Sequence, residues 1–193
     1  VTYNSKTNII EMLEHFGCVF PPQISGDVSC ARITMTSDDE TESRYINYYL
    51  WPNLLSQENA SLGATVFWPV PLEISGNAKS YLLSSPLAFN FNADNSSQDN
   101  LFETNPFILE TINLSEMTKK TNVFGALIEG QISGLYNNLT RQDAKIIVIS
   151  DQYFVNSLMT SYIGGQTGDY RNFEVITNAL LKLNGEEQLA QIQ

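Results

Sequence analysis

The stretch Ala144–Asp151 reads Ala-Lys-Ile-Ile-Val-Ile-Ser-Asp and constrains the fold more than any other part of the chain. A run of β-branched side chains without polar alternation is typical of a strand covered on both faces, as in parallel sheets. About twenty residues later, Tyr170–Leu183 has the spacing of an amphipathic helix. The two segments predict a buried parallel strand that feeds a crossover, hence an α/β fold with a mostly parallel sheet flanked by helices. The predicted apolar side of the helix consists of Phe173, Ile176, Leu180 and Leu183.

Polar side chains follow three predicted strands, namely the stretch above, Ser80–Ser85 and Val123–Ile128. Open α/β sheets bind ligands just beyond the carboxyl ends of their strands. We therefore predict a binding cluster formed by the polar residues at these ends. Its members are Ser150, Asp151, Asn156, Glu129, Ser84 and Ser85.

Asp151 is open to two interpretations. With Glu129 it could form an acid–base pair acting on a glycan or an amide, which would make the protein a hydrolase or a transferase, or the pair could bind a cation. That chemistry requires the two strand ends to be neighbours. The alternative, which we favour, is that Asp151 caps the turn after the strand, while Asn156 and Asn178 bind backbone amides of loops.

Glycine and proline mark several other elements. Thr7–Phe16 has helical spacing, with Thr7 as the N-cap and Gly17 as the left-handed end. Tyr45–Trp51 and Ala64–Trp68 are rich in β-forming residues but run into prolines, so we expect edge strands or extended connections there. The tryptophans beside these prolines could line a carbohydrate groove, although we favour their packing against the core.

The charge balance limits the partners of the protein. Ten Lys and Arg stand against 21 Asp and Glu, a formal net charge of −11, and no basic cluster exceeds Lys119-Lys120. We therefore expect no binding to nucleic acid or to an anionic membrane surface. With 193 residues, residues 1–193 are expected to form one domain. The charged fraction of only 16%, in a chain rich in Asn, Ser and Thr, favours an extracytoplasmic setting.

No cofactor or metal site is expected. Cys18 and Cys30 could form a disulfide in an oxidising compartment, and the alternative is two buried free thiols. The single histidine, His15, leaves no set of metal ligands. The acidic stretch Thr36–Ser43 lacks the spacing of a calcium loop, and the glycines at Gly164–Gly168 lack the lysine of a phosphate-binding loop.

Several short motifs occur in an order that resembles one protein family. They are an opening helix, a Trp-Pro pair, a strand ending in Ser-Ser-Pro, a Leu-Ile-Glu-Gly segment and an ending with recurrent asparagines. The matching residues are Ile9–Gly17, Trp51-Pro52, Leu82–Pro86, Ala126–Gly130, Ser133, Ile147–Asp151, Phe154, Asn156, Asn172-Phe173 and Asn178–Leu181. Over nearly the whole chain, this order resembles the GldG-type auxiliary component of gliding-motility ABC transporters and the broader group of uncharacterised ABC transport auxiliary proteins.

The resemblance implies a non-enzymatic module that binds a partner protein or an exported polymer beside an ABC permease and ATPase. It implies a periplasmic or cell-surface position, anchored to the inner membrane by helices outside these residues. It also implies a sheet similar to that of class I glutamine amidotransferases, a flavodoxin-like architecture, here incomplete. The chain departs from the amidotransferases because it has no Gly-x-Cys-x-Gly elbow, and Cys18 follows the helix-ending Gly17. We therefore expect no catalysis.

Overall fold

A computed structural model describes residues 8–36, 43–57, 60–92, 102–137, 139–164, 171–186 and 188. Most of the acidic stretch and most of the glycine-containing segment named above lie outside these residues. Within them the chain forms four helices and ten strands. In chain order these are α1 (Asn8–His15), β1 (Cys18–Val19), β2 (Gln23–Asp27), β3 (Cys30–Thr36), β4 (Ser43–Leu55), β5 (Ser61–Thr65), β6 (Glu73–Ile74), β7 (Ala78–Leu83), β8 (Ala88–Asn92), α2 (Pro106–Leu109), β9 (Val123–Ser133), β10 (Thr140–Ile149), α3 (Ser157–Gly164) and α4 (Arg171–Asn184).

The strands form one sheet of six and two sheets of two. The large sheet has the order β10-β9-β7-β4-β3, with β5 paired to β4, while β1 pairs with β6 and β2 pairs with β8. Every strand pairing within the described residues is antiparallel. The predicted α/β fold with a mostly parallel sheet, and with it the amidotransferase-like architecture, is therefore wrong. The chain is mainly an antiparallel β protein.

The apolar run that suggested a parallel strand is the second half of β10, at one edge of the large sheet. β10 forms an antiparallel hairpin with β9. On one face of the sheet, Val148 belongs to a core cluster with Cys18, against which Leu13 of α1 packs. On the other face, Ile149 packs against a cluster that contains Val175 of α4. An apolar run on both faces thus indicates coverage by other elements, and it carries no information on strand direction.

The prediction of an edge strand at Tyr45–Trp51 holds for its first residues, because Tyr45–Asn47 pair only with β3 in the described structure. β4 has partners on both sides from Pro52 onward, and Leu55 pairs with both β5 and β7. The carbonyl of Pro52 accepts a hydrogen bond from the N–H of Val66 (3.0 Å), one residue beyond β5. The N–H and C=O groups of one strand residue point to the same side. An N–H at position 52 would therefore point toward the end of β5, so the proline does not interrupt a continuous series of hydrogen bonds between two strands.

The opening helix is confirmed as α1. Gly17 follows it with φ +90°, the left-handed conformation that favours glycine. A side chain at Gly17 would also collide with the backbone of Ser75, so the position requires glycine for two reasons. Thr7, the predicted N-cap, lies outside the described residues. None of the helices in the described ranges is both long enough and apolar enough to cross a membrane.

The amphipathic helix near the end of the chain is confirmed as α4, but its buried face differs from the predicted one. Asn172, Val175 and Ala179 are buried, whereas Phe173 and Leu180 are 38% and 55% exposed. The predicted apolar side is therefore partly turned to solvent. The helix is oriented by hydrogen bonds of the buried Asn172, described below.

Candidate functional site

The ends of β7 and β10 lie at the same edge of the large sheet, on either side of the start of β9. Both strands run antiparallel to β9 and so run in the same direction. The N–H of Ser84 donates to the carbonyl of Asn122 (3.0 Å), and the N–H of Ser150 donates to the carbonyl of Phe124 (2.9 Å). Two strand spacings of about 4.8 Å separate the ends by roughly 10 Å. The structure thus brings together these two predicted ends.

Glu129 lies far from this edge. It is opposite Lys145, six positions before Asp151 along β10, which corresponds to roughly 20 Å. Its carboxylate forms an ion pair with Nζ of Lys79 (2.8 Å), and this hydrogen bond and charge lower the pKa of Glu129. Because β9 and β10 are antiparallel, they end at opposite edges of the sheet. The proposed acid–base pair of Glu129 and Asp151 is therefore not formed.

Ser84 and Ser85 belong to a buried hydrogen-bond network around Asp27. Ser85 donates to the Asp27 carboxylate from its N–H (2.7 Å) and from its hydroxyl (2.6 Å). The Ser84 hydroxyl accepts from the N–H of Asn122 (2.7 Å), whose side-chain amide donates to the hydroxyl of Ser25 (2.7 Å). Burial raises the pKa of Asp27, while the hydrogen bond from Ser85 opposes that rise. The serine pair therefore connects the end of β7 to β2 inside the fold.

Asp151 joins the end of β10 to the segment after β5. One carboxylate oxygen accepts from the N–H of Tyr153 (2.7 Å), so the residue caps its own turn as predicted. The other oxygen accepts from the N–H of Phe67 (2.8 Å), a long-range bond that the sequence does not reveal. Burial raises the pKa of Asp151 to about 6, although both backbone hydrogen bonds act in the opposite direction. Asp151 is thus a partly desolvated carboxyl that fixes two segments of backbone.

The remaining polar residues near β10 have local structural roles. The hydroxyl of Ser150 donates to the carbonyl of Phe124 (3.1 Å). Asn156 caps α3, because its side-chain oxygen accepts from the N–H groups of Leu158 (3.0 Å) and Met159 (3.2 Å). Asn156 therefore binds backbone amides, as predicted.

Asn172 anchors α4 to the sheet. Its side chain accepts from the N–H of Thr65 (2.9 Å) and donates to the carbonyls of Thr65 (2.8 Å) and Phe154 (2.7 Å). All of these bonds are buried, which makes Asn172 a fixed point between β5 and the turn after β10. Asn178 differs from the prediction, since its side-chain oxygen is buried without a hydrogen-bond partner in the described structure.

An apolar groove opens beside the end of β10, and we call it the β10 groove. It has a volume of about 380 Å³ and is lined by α1, the segment after β5, and the second half of β10 with its following turn. Its size and apolar lining suit a small ligand or a short peptide segment. Ile9 and Tyr153 on its rim are 59% and 37% exposed. The lining residues are Ile9, Leu13, Phe20, Phe67, Trp68, Val70 and residues 146–153.

Trp68 is held in an unusual backbone conformation at the groove. Its φ is +50°, rare for a bulky residue other than glycine. The indole N–H donates to the hydroxyl of Tyr48 (3.0 Å), and the ring contacts Tyr153 (5.8 Å between centroids) and Trp51 (5.5 Å). Backbone strain of this kind costs about 1–3 kcal/mol and is found mainly at binding sites. Trp51 itself is buried and packs in the core.

The two cysteines do not line the groove. Cys18 and Cys30 are free thiols, so the disulfide is not formed in the structure. Burial raises the pKa of both thiols, that of Cys30 to about 12, and a protonated thiol is a poor nucleophile. In the part of the chain that the structure describes, no three His, Cys, Asp or Glu residues are placed to hold a metal ion.

The groove residues contributed by α1 carry no sequence signal of their role. Ile9 and Leu13 have ordinary helical spacing, and no local pattern relates them to a strand more than 130 residues later. Trp68 beside Pro69 was the one groove residue whose sequence context indicated a binding surface. The groove is therefore a product of long-range packing.

One comparison with known proteins identifies the family of the chain. No curated protein and no solved structure shows a significant match. The family model described as ABC-type uncharacterized transport system matches residues 1–179. That range includes β10, its groove and Asp151, and the match confirms the resemblance to an auxiliary ABC transport component. The chain therefore belongs to this family of auxiliary components of ABC-type transport systems.

Proposed function

We propose that the chain is a non-enzymatic, extracytoplasmic module of an ABC transport system of the gliding-motility or export type, and that it binds another subunit of that system through the β10 groove. Family membership supports the role in transport. The groove is the observation that supports binding, because it is an apolar surface that no described residue covers. The net charge of −11 favours a partner that presents basic residues.

The placement of the carboxylates supports a non-enzymatic role. Both oxygens of Asp151 accept backbone hydrogen bonds, and Glu129 lies at a different part of the sheet in an ion pair with Lys79. In this arrangement Asp151 positions the end of β10 and the Phe67 segment, which shapes the groove. Ser150 supports the same turn through its bonds to Phe124.

Co-expression of the chain with the permease and ATPase subunits of its ABC transport system, followed by co-purification, tests the proposal. Ile9→Asp places a charge on the groove rim at a side chain that is 59% exposed. Leu180→Asp is the matched control, because Leu180 is 55% exposed on α4, away from the groove lining. We expect Ile9→Asp to reduce co-purification of the transporter subunits by about tenfold or more. Leu180→Asp should leave it unchanged, and both variants should melt near the wild-type temperature.

Two results would contradict the proposal. If Ile9→Asp captured the transporter subunits as well as wild type did, the groove would not be the binding surface. If the purified chain cleaved a glycan or an amide, and Asp151→Asn abolished this with the fold intact, the module would be an enzyme.

A further inference from the structure

The outer edge of β10 is unpaired in the described part of the molecule. β10 is the terminal strand of the large sheet and pairs only with β9 there. The N–H of Ser150 donates to the carbonyl of Phe124 on β9. Since backbone groups alternate in direction along a strand, those of Val148 also point toward β9, whereas those of Ile147 and Ile149 point away from it. Among the described residues, nothing pairs with the outward backbone groups of Ile147 and Ile149 at the sheet edge.

The two halves of β10 differ in how this edge is protected. The first half is exposed and carries Arg141, Asp143 and Lys145, with a register irregularity between Arg141 and Ala144. Charges and bulges of this kind are the usual protection of an edge strand against pairing with another chain. The second half, Ile146–Ile149, has neither. It is the part of the strand that lines the β10 groove.

Residues of the groove are placed to receive side chains of an added strand. Ile9, Leu13 and Phe20 line the groove beside Ile146–Ile149. A strand placed along β10 would direct every second side chain to the same face of the sheet as α1. Those side chains would bury Ile9, which is now 59% exposed.

Resting on the proposed function, we propose that the partner subunit adds an extended segment to the edge of β10 as an antiparallel strand, through the backbone of Ile147 and Ile149. This is the strand-addition mode of peptide recognition, in which backbone hydrogen bonds supply affinity and alternate side chains supply specificity. The segment has an apolar residue at every second position.

The charge at the start of the apolar half defines the partner further. Lys145 precedes this half, so the segment carries an acidic residue near Lys145, whereas both oxygens of Asp151 at the other end already accept backbone hydrogen bonds. β10 of a second copy also has an apolar half and acidic residues. Each copy has a net charge of −11, however, and the repulsion between two such chains favours a different, basic subunit.

Ile147→Pro in the complex with the transporter subunits tests strand addition. Proline removes the outward N–H and costs no hydrogen bond to β9, which is why edge strands tolerate it. Ile147→Val is the control, since it keeps the N–H and a β-branched side chain. We expect Ile147→Pro to weaken co-purification about tenfold or more, and Ile147→Val to leave it within about twofold of wild type.

Amide hydrogen exchange of the wild-type chain, free and in the complex, tests strand addition even if the proline variant does not fold. In the free chain, we expect the N–H of Val148 to be protected and those of Ile147 and Ile149 to exchange rapidly. In the complex, all of these should be protected. Unchanged exchange at Ile147 and Ile149 would overturn strand addition.

The outcomes separate this inference from the proposed function. If Ile9→Asp abolishes capture but Ile147→Pro binds like wild type, the groove binds a partner by another mode and strand addition is wrong. If neither variant affects capture, the proposed function fails as well. If the isolated chain dimerises with the same protection at Ile147 and Ile149, the added strand belongs to a second copy and the assignment to another subunit is wrong.

Discussion

Replacing Asp151 with asparagine tests how the end of β10 is fixed. The carboxylate accepts from the N–H groups of Phe67 (2.8 Å) and Tyr153 (2.7 Å). Asparagine can accept only one of these bonds, because its NH₂ group would face the other donor. The bond from Tyr153 is exposed to solvent, so its loss should destabilise Asp151→Asn by about 0.5–1.5 kcal/mol near neutral pH.

The pH dependence gives a second and more specific magnitude. Burial raises the pKa of Asp151 from 3.8 to about 6 in the folded chain. A carboxyl whose pKa is raised on folding contributes stability at low pH, and the contribution is lost as the pH rises through the folded value. Below pH 3.8, the full difference between the two pKa values adds roughly 3 kcal/mol to the free energy of unfolding, relative to a pH well above the folded value. At about pH 5, the free energy of unfolding should be higher by about 1.4 kcal/mol than at about pH 7.5 because of this carboxyl.

Urea unfolding at these two pH values measures the effect. Between pH 7.5 and pH 5, wild type should gain about 1.4 kcal/mol more stability than Asp151→Asn, in which the titrating group is absent. Asp27, whose pKa is also raised, is present in both proteins and cancels in the comparison. Asp143→Asn is the control, because Asp143 is exposed on the same strand. Equal pH dependence in wild type and Asp151→Asn would refute a buried carboxylate at this turn.

Further predictions concern α4, the end of α1 and the ion pair on β9. Asn172→Ala removes three buried hydrogen bonds and should cost about 3 kcal/mol or more in urea unfolding. Asn178→Ala on the same helix should cost less than about 1.5 kcal/mol, because the Asn178 side-chain oxygen has no hydrogen-bond partner among the described residues. Gly17→Ala should lower the melting temperature by several degrees more than Gly76→Ala, since both positions have positive φ but only the former lies against backbone. Glu129→Gln should change the free energy of unfolding by less than about 1 kcal/mol, and a larger loss would show that the exposed pair is more than a surface ion pair.

The local elements were largely predictable from the sequence, but their arrangement was not. The helical spacing of Thr7–Phe16 and the glycine after it lead directly to α1. The apolar run at the end of β10 indicates coverage on both faces, and it fits an edge strand between α1 and α4 as well as a parallel strand. Pro52 predicted that central pairing was barred, yet β4 has partners on both sides at this residue, because the cost of a missing N–H depends on which neighbour that N–H would face.

Buried polar residues were the other source of error. Asp27 lies in a stretch without a distinctive motif, and the motif that contains Asn172 does not reveal its partners. The importance of both side chains comes from residues far along the chain. Asn172 also shifts the buried face of α4, because its hydrogen bonds to Thr65 require it to point into the fold. The turn-capping role of Asp151 was predictable because its partner Tyr153 lies two residues away. Its bond to Phe67 was not predictable from any local pattern.

Photo-crosslinking in cells tests the central claim most directly, that this auxiliary module binds its transporter through the β10 groove. A photoreactive amino acid at position Ile9, on the groove rim, should form an adduct with a subunit of the ABC transport system. The same group at Leu180 on α4 should form none. An adduct from Leu180 alone, or no adduct from either position in cells that contain the assembled transporter, would contradict the account.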